Sequence, residues 1–207
     1  MKEKMKTFIV LALIIFAIFF SSCLKPCSSQ EGDIIFQESL SSQSEAIKLA
    51  TKSKYSHMGI LLKKDGKMYV FEAVQPVKYT PVKEWINRGK GGVYEVKRLI
   101  NAKDCLTPEV LEGFHKEAKS LEGKNYDSFF EWSDDRIYCS ELVWKLYKKA
   151  TGLEIGRLNK FKEFDLTNPV VKSKLKERYG TKIPLNEPVI SPESMLNSEK
   201  LITIYAN

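Results

Sequence analysis

Histidine is nearly missing from this chain: two residues, His57 and His115, in 207. Zinc sites made of His and Cys need clustered pairs of such residues, and no second pair stands near either His. Neither a metal nor another cofactor is expected. Cysteine is sparse as well, with Cys23, Cys27, Cys105 and Cys139 far short of a disulfide-stapled scaffold. No basic block is interleaved with aromatics, so the net charge of +7 does not describe a nucleic-acid platform. Small groups such as Lys63-Lys64 and Lys148-Lys149 read as a solvated surface that also tolerates an anionic membrane. There are no internal repeats and no cell-wall-binding repeat. The longest apolar run, Phe8 to Phe20, has 13 residues, short for a bilayer span.

What is there begins with that run. It follows a basic start, Met1 to Lys6, and precedes Ser21-Ser22-Cys23, the order of a secretory signal. The small residues before Cys23 resemble the lipobox of bacterial lipoproteins, whose Cys becomes the acylated N-terminus; Phe20 stands where Leu is usual. A plain cleaved signal and an uncleaved anchor are the alternatives. The expected organisation is a lipoprotein signal peptide at 1–22, a tether at 23–31 and one domain at 32–207. The expected location is the bacterial cell envelope, extracytoplasmic and on the periplasmic side, held to the membrane by lipid on Cys23. Cleavage removes three Lys and one Glu, lowering the charge from +7 to +5. Cys27 and Cys105 could pair, which spacing does not decide.

One stretch organises the rest: Ile137-Tyr138-Cys139-Ser140-Glu141-Leu142-Val143 and on to Tyr147. Leu142, Val143, Leu146, Tyr147 and Ala150 follow helical spacing, and Thr151-Gly152 ends the run. Cys139 stands at the helix start on the apolar side, where unpaired N–H groups and the positive dipole end favour thiolate over thiol. That suits a nucleophile; a small buried Cys filling space fits the pattern too.

Upstream, His57 to Leu62 and Lys67 to Val74 flank Asp65-Gly66, a tight-turn signal. A two-residue loop pairs Leu61 with Val70 and Gly59 with Glu72. His57 and Glu72 then share a face, with Gly59 leaving room between them. Glu72 lies among Val70 and Val74, an apolar setting that a carboxylate without a partner would avoid. Gly32 to Gln37 reads as a buried strand, Ser41 to Thr51 as a short capped helix and Val93 to Leu99 as a strand. Thr80-Pro81 and Thr107-Pro108 both read as helix starts with a hydroxyl cap. His115 lies beside the apolar stripe of the second helix and reads as a surface or boundary His, since the pattern places no acid or thiol as a partner for it. Beyond Gly152 come short elements: a helix after Pro169, a loop or edge segment from Ile183, a helix at Ser191-Pro192-Glu193 and a strand from Leu201.

A thiolate nucleophile needs a base that can later deliver its proton, and His titrates in the right range. Glu72 could hold the ring's tautomer and stabilise the imidazolium. His57-Met58-Gly59-Ile60, Phe71-Glu72-Ala73 and Tyr138-Cys139-Ser140-Glu141-Leu142-Val143 together resemble the permuted papain-like family named for YaeF and YiiX. That family is related to NlpC-type cell-wall peptidases and to lecithin retinol acyltransferase, in which the Cys helix precedes the His strand. The resemblance runs from about Gly32 to Gly152. It implies an α+β fold with a small antiparallel sheet packed against the Cys helix. It also implies a catalytic set of Cys139 as nucleophile, His57 as base and Glu72 as orienting residue. Tyr126 resembles a Tyr that helps the oxyanion site in NlpC-type enzymes; an aromatic core role fits it equally.

The expected activity is hydrolysis of an amide bond by a Cys-His-Glu triad. The substrate would be a small molecule, a peptide such as a peptidoglycan stem, or a lipid N-acyl amide. Lipid acyl hydrolysis or transfer is the rival within thiol chemistry, and a non-catalytic ligand-binding lipoprotein the rival outside it.

Overall fold

The computed structural model describes residues 29–207; the signal at 1–22, Cys23, Cys27 and most of the tether lie outside the described residues. Along the chain, β1 (Ile34–Gln37) leads to α1 (Ser44–Thr51), then β2 (His57–Lys64) and β3 (Lys67–Glu72). Next come β4 (Lys78–Pro81), α2 (Val82–Arg88), β5 (Tyr94–Leu99), α3 (Ala102–Cys105) and α4 (Pro108–Leu121). After β6 (Asn125–Tyr126) and β7 (Arg136–Ile137) comes α5 (Cys139–Thr151), the nucleophile helix of the sequence reading. The tail holds β8 (Asn159–Lys160), α6 (Pro169–Tyr179), β9 (Pro188–Val189), α7 (Pro192–Leu196) and β10 (Leu201–Ala206). The main sheet has the order β10-β5-β1-β2-β3-β4, antiparallel at every junction. This is the α+β architecture expected. Among the described residues no helix is long and apolar enough to cross a membrane.

The β2–β3 hairpin has the expected two-residue loop. Asp65 (φ 52°) and Gly66 (φ 74°) are both left-handed, as a type I′ turn requires, and Lys64 pairs with Lys67 and Leu61 with Val70. A Cβ on Gly59 would stand 2.4 Å from Val70 Cγ1 and 2.9 Å from the Phe71 carbonyl oxygen. Because the second obstacle is backbone, Gly59→Ala is expected to push β3 away and destabilise the domain by about 1–3 kcal/mol, read by urea denaturation.

Two expectations are corrected here. The second strand ends at Glu72, leaving Ala73 and Val74 outside it, and the chain returns through a cis Gln75–Pro76 bond to form β4. Thr80 therefore sits in a strand and caps nothing; α2 begins one residue after Pro81. The Thr107 expectation holds, since the Val110 N–H donates to its hydroxyl at 3.4 Å at the start of α4. His115 on α4 is not without an acid: its Nε2 lies 2.9 Å from Glu31 Oε1, a partner 84 residues away in sequence.

The sheet has two unequal faces. Ile34, Phe36, Ile60, Leu62 and Phe71 join Leu142, Val143, Leu146 and Tyr147 of α5 and Phe114 of α4 in the main core. Each fully buried side chain there contributes about 1.5–3 kcal/mol of apolar burial. Ile35, Leu61, Val70 and Val96 pack on Trp85 of α2 on the other face.

Candidate active site

Alternation along the hairpin turns His57 and Glu72 toward the Trp85 face, whereas α5 lies on the other. His57 nevertheless comes close to Cys139, because it is the first residue of β2, at the margin of the sheet, where its ring interacts with the Cys139 side chain. Cys139 is the first residue of α5, after the extended N-cap Tyr138. Glu141 reaches back so that the Tyr138 N–H donates to its Oε2 at 3.3 Å, and its other oxygen lies 2.7 Å from Lys145 Nζ. Burial pushes the Glu141 carboxyl up to about 7 against that ion pair.

His57 Nε2 lies 2.6 Å from Glu72 Oε2, so Nδ1 is the ring nitrogen left for a second partner. Glu72 is wholly buried and surrounded by donors. The Thr80 hydroxyl donates to Oε1 at 2.6 Å and the Trp85 indole N–H to Oε2 at 2.9 Å. Arg88 Nη2 stands 2.6 Å and 2.5 Å from the two oxygens. Burial alone would raise its pKa; the bond and charge of His57, then Arg88 and Thr80, overcome it and hold the carboxyl at about 2. Burial likewise opposes charge on His57, but the bonds to Cys139 and Glu72 outweigh it and push the ring up to about 9. The imidazole is therefore charged at neutral pH, between the sulfur and a fixed carboxylate. It stacks 6.0 Å from the Trp85 ring, which limits its rotation.

Tyr126 lies near enough to feel the charge at Cys139. The charge at Cys139 adds to burial in raising its hydroxyl well above the usual tyrosine range, so it keeps its proton. Gln43, just before α1, donates its amide N–H to the Tyr126 oxygen at 2.8 Å, while Gln43 Oε1 accepts from Arg178 Nη2 at 3.0 Å. A guanidinium can only donate, so the Gln43 oxygen must face Arg178 and its NH₂ must face Tyr126. The Tyr126 oxygen is thus an acceptor from Gln43, and its own proton is free to donate elsewhere.

The structure thus bonds His57 to Glu72, with Cys139 beside the His57 ring and Tyr126 within electrostatic range of Cys139. The sequence reading missed Thr80, Trp85, Arg88, Gln43 and Arg178. The demand of Glu72 for partners was visible in its apolar strand face; the identity of those partners was not. Among the described residues no three or more His, Cys, Asp and Glu side chains gather as a metal site.

A thiol at a helix start, an imidazolium and a buried carboxylate in the chain order His, acid, Cys are what a permuted thiol hydrolase would contain. Residues 28–205 match the family described as permuted papain-like amidase enzymes, YaeF/YiiX, C92. The chain belongs to that family. It is a cysteine-peptidase-like hydrolase of the amidase kind. The uncharacterized YiiX of Escherichia coli K12 is 53% identical over 175 residues, covering 84% of this chain and 85% of that protein. The crystal structure of the metalloprotein yiiX from Escherichia coli O157:H7 superposes with a TM-score of 0.82 at 53% identity, covering 86% of this chain and 97% of that one.

Proposed function

We propose that this family member hydrolyses an amide bond with Cys139 as nucleophile, His57 as acid and base, and Glu72 as the residue that positions His57. The sulfur attacks the carbonyl carbon, and the imidazolium gives its proton to the departing amine as the C–N bond breaks. Water, deprotonated by the neutral imidazole, then attacks the thioester, and the acid leaves as the thiolate and imidazolium are restored. The Tyr126 hydroxyl and the first-turn N–H groups of α5 are the donors for the oxyanion. The observation that carries this reading is the setting of His57, whose Nε2 lies 2.6 Å from Glu72 Oε2 and whose ring interacts with the Cys139 side chain.

Substrates of this chemistry include peptidoglycan stem peptides and N-acyl amides, taken up outside the cytoplasm by a domain tethered through lipid on Cys23. A second reading, acyl hydrolysis or transfer on a lipid, is favoured by one observation: Cys139 lines a groove of largely apolar side chains. The O157:H7 relative is described as a metalloprotein, which raises the question of a metal here. Both Glu72 oxygens and His57 Nε2 are taken by protein partners, leaving Nδ1 and the sulfur, two donors where zinc takes three or four from protein. The residues do not fit a metal, and no step runs through one.

Iodoacetamide labelling of Cys139 at pH 6, followed by peptide mass spectrometry, tests the pair. Labelling should be at least tenfold slower in His57→Ala, and equal rates in the two proteins would sink the reading. Amide hydrolysis should fall as pH rises above about 9, where His57 loses the proton the amine needs. Tyr126→Phe is expected to lower kcat by about 10²–10³ with little change in KM. Gln43→Leu, which frees the Tyr126 oxygen to turn, should do the same to a lesser degree.

A further inference from the structure

The carboxylate behind His57 serves two cations. Glu72 Oε2 lies 2.6 Å from His57 Nε2, and Arg88 Nη2 stands 2.6 Å and 2.5 Å from the two Glu72 oxygens. The other donors to Glu72, the Thr80 hydroxyl and the Trp85 indole N–H, carry no charge. Arg88 is the last residue of α2, one turn after Trp85, so a single helix brings both side chains to Glu72. No step of the proposed hydrolysis draws on Arg88.

Charge around His57 comes from three elements: Cys139 on α5, Glu72 on β3 and, behind Glu72, Arg88 on α2. On β1 its partner in register is the neutral Gln37, and Tyr126 keeps its proton. In the resting site thiolate, imidazolium, carboxylate and guanidinium cancel. Forming the thioester removes the thiolate, and the departing amine takes the imidazolium proton. Glu72 is then a wholly buried anion beside a neutral ring. Without another counter-ion that anion would favour a proton on His57, and no base would remain for the water. A guanidinium keeps its charge through both halves of the cycle.

We infer that Arg88 is a positioning residue whose charge holds Glu72 as a carboxylate while His57 is neutral. One imidazole can then act first as acid and later as base. Arg88 acts through Glu72, not on the substrate, and the inference rests on the proposal that His57 is the acid and base. Two accounts of Arg88 predict opposite shifts when its charge is removed. A clamp that only keeps Glu72 in place would, once lost, let the carboxylate leave the ring, and the His57 midpoint would fall. A cation that shares the carboxylate's charge would, once lost, leave all of it to His57, and the midpoint would rise.

Arg88→Met removes the charge and keeps most of the stem. The Arg88 side chain is 38% exposed, so the shorter side chain leaves room for solvent rather than a void. In NMR titration of the whole chain, the His57 midpoint should rise by about one pH unit. Turnover of 4-methylumbelliferyl acetate reads the second half of the cycle, because its phenolate leaves without a proton from His57. On the acid limb of the pH–rate profile, kcat should fall about tenfold, as the neutral ring becomes that much scarcer. KM should fall with it, so that kcat/KM holds. Arg88→Lys, which restores the charge, should bring both the midpoint and kcat back. Should Arg88→Met not fold, Arg88→Gln, which keeps a neutral donor for Glu72, reads the same shift. A midpoint that falls or stays put in the neutral variants would overturn the inference, as would Arg88→Lys behaving like Arg88→Met. The catalytic reading fails separately. Cys139 labelling indifferent to His57 removes the Cys–His pair whatever the midpoint does. Labelling that depends on His57, with a falling midpoint in Arg88→Met, keeps the hydrolase and removes this role of Arg88.

Discussion

Cys139→Ala is expected to release aminomethylcoumarin from its acetyl and decanoyl amides at no more than about 10⁻⁴ of the wild-type rate, while unfolding at nearly the same temperature. The rate effect follows from losing the only atom that attacks, since removing one member of a catalytic unit costs nearly as much as removing all of it. The small stability effect follows because the substitution leaves Leu142, Val143, Leu146 and Tyr147 in the main core and the Glu141 cap in place. The change also reports on the histidine. The bond and charge of Cys139 are among the causes that push His57 up to about 9, so its titration midpoint should fall in the variant. With His115 as the only other His, NMR titration of two ring signals resolves the shift. A wild-type rate in Cys139→Ala, or an unmoved His57 midpoint, would mean that the sulfur is packing and nothing more.

Much of this is legible in the sequence because the hairpin carries its own ruler. Asp65-Gly66 sets a two-residue loop, the loop sets Leu61 against Val70, and alternation then puts His57 and Glu72 on one face. Cys139 was legible for a similar local reason, the switch to helical spacing one turn later. What stayed hidden depends on distant segments. Thr80 followed by Pro81 imitates a helix cap, but pairing with β3 claims it for a strand and turns its hydroxyl onto Glu72. Trp85 and Arg88 are one helical turn apart and reach the same carboxylate, which becomes apparent only once α2 lies across the hairpin. Gln43 sits among serines that suggest a cap, yet its work is to join Arg178 to Tyr126 over 135 and 83 residues. The groove is harder still, because α6 has no strong apolar stripe: Val171 and Leu175 face inward among lysines.

Glu72→Gln is expected to cost about 3–5 kcal/mol of stability and to lower amide hydrolysis by about 10²–10⁴, an effect on positioning rather than on contact with substrate. The carboxylate's two oxygens receive Thr80, Trp85, His57 and Arg88. An amide has one oxygen and turns an NH₂ group toward donors, so at least one buried donor loses its partner and the His57 charge loses its counter-ion. The pH dependence identifies the cause. Glu72 is held at about 2 against an ordinary value near 4.5, so its contribution is present above about pH 4.5 and is lost as pH falls toward 2. His57 is raised to about 9 from 6.5, so its contribution is full below about pH 6.5 and is lost as pH rises through 9. The wild-type advantage in urea unfolding should therefore be widest between about pH 4.5 and 6.5 and narrow on both sides. A gap that is the same at pH 3, 5.5 and 9 would mean that the substitution acts through packing, and that Glu72 does not hold the charge of His57.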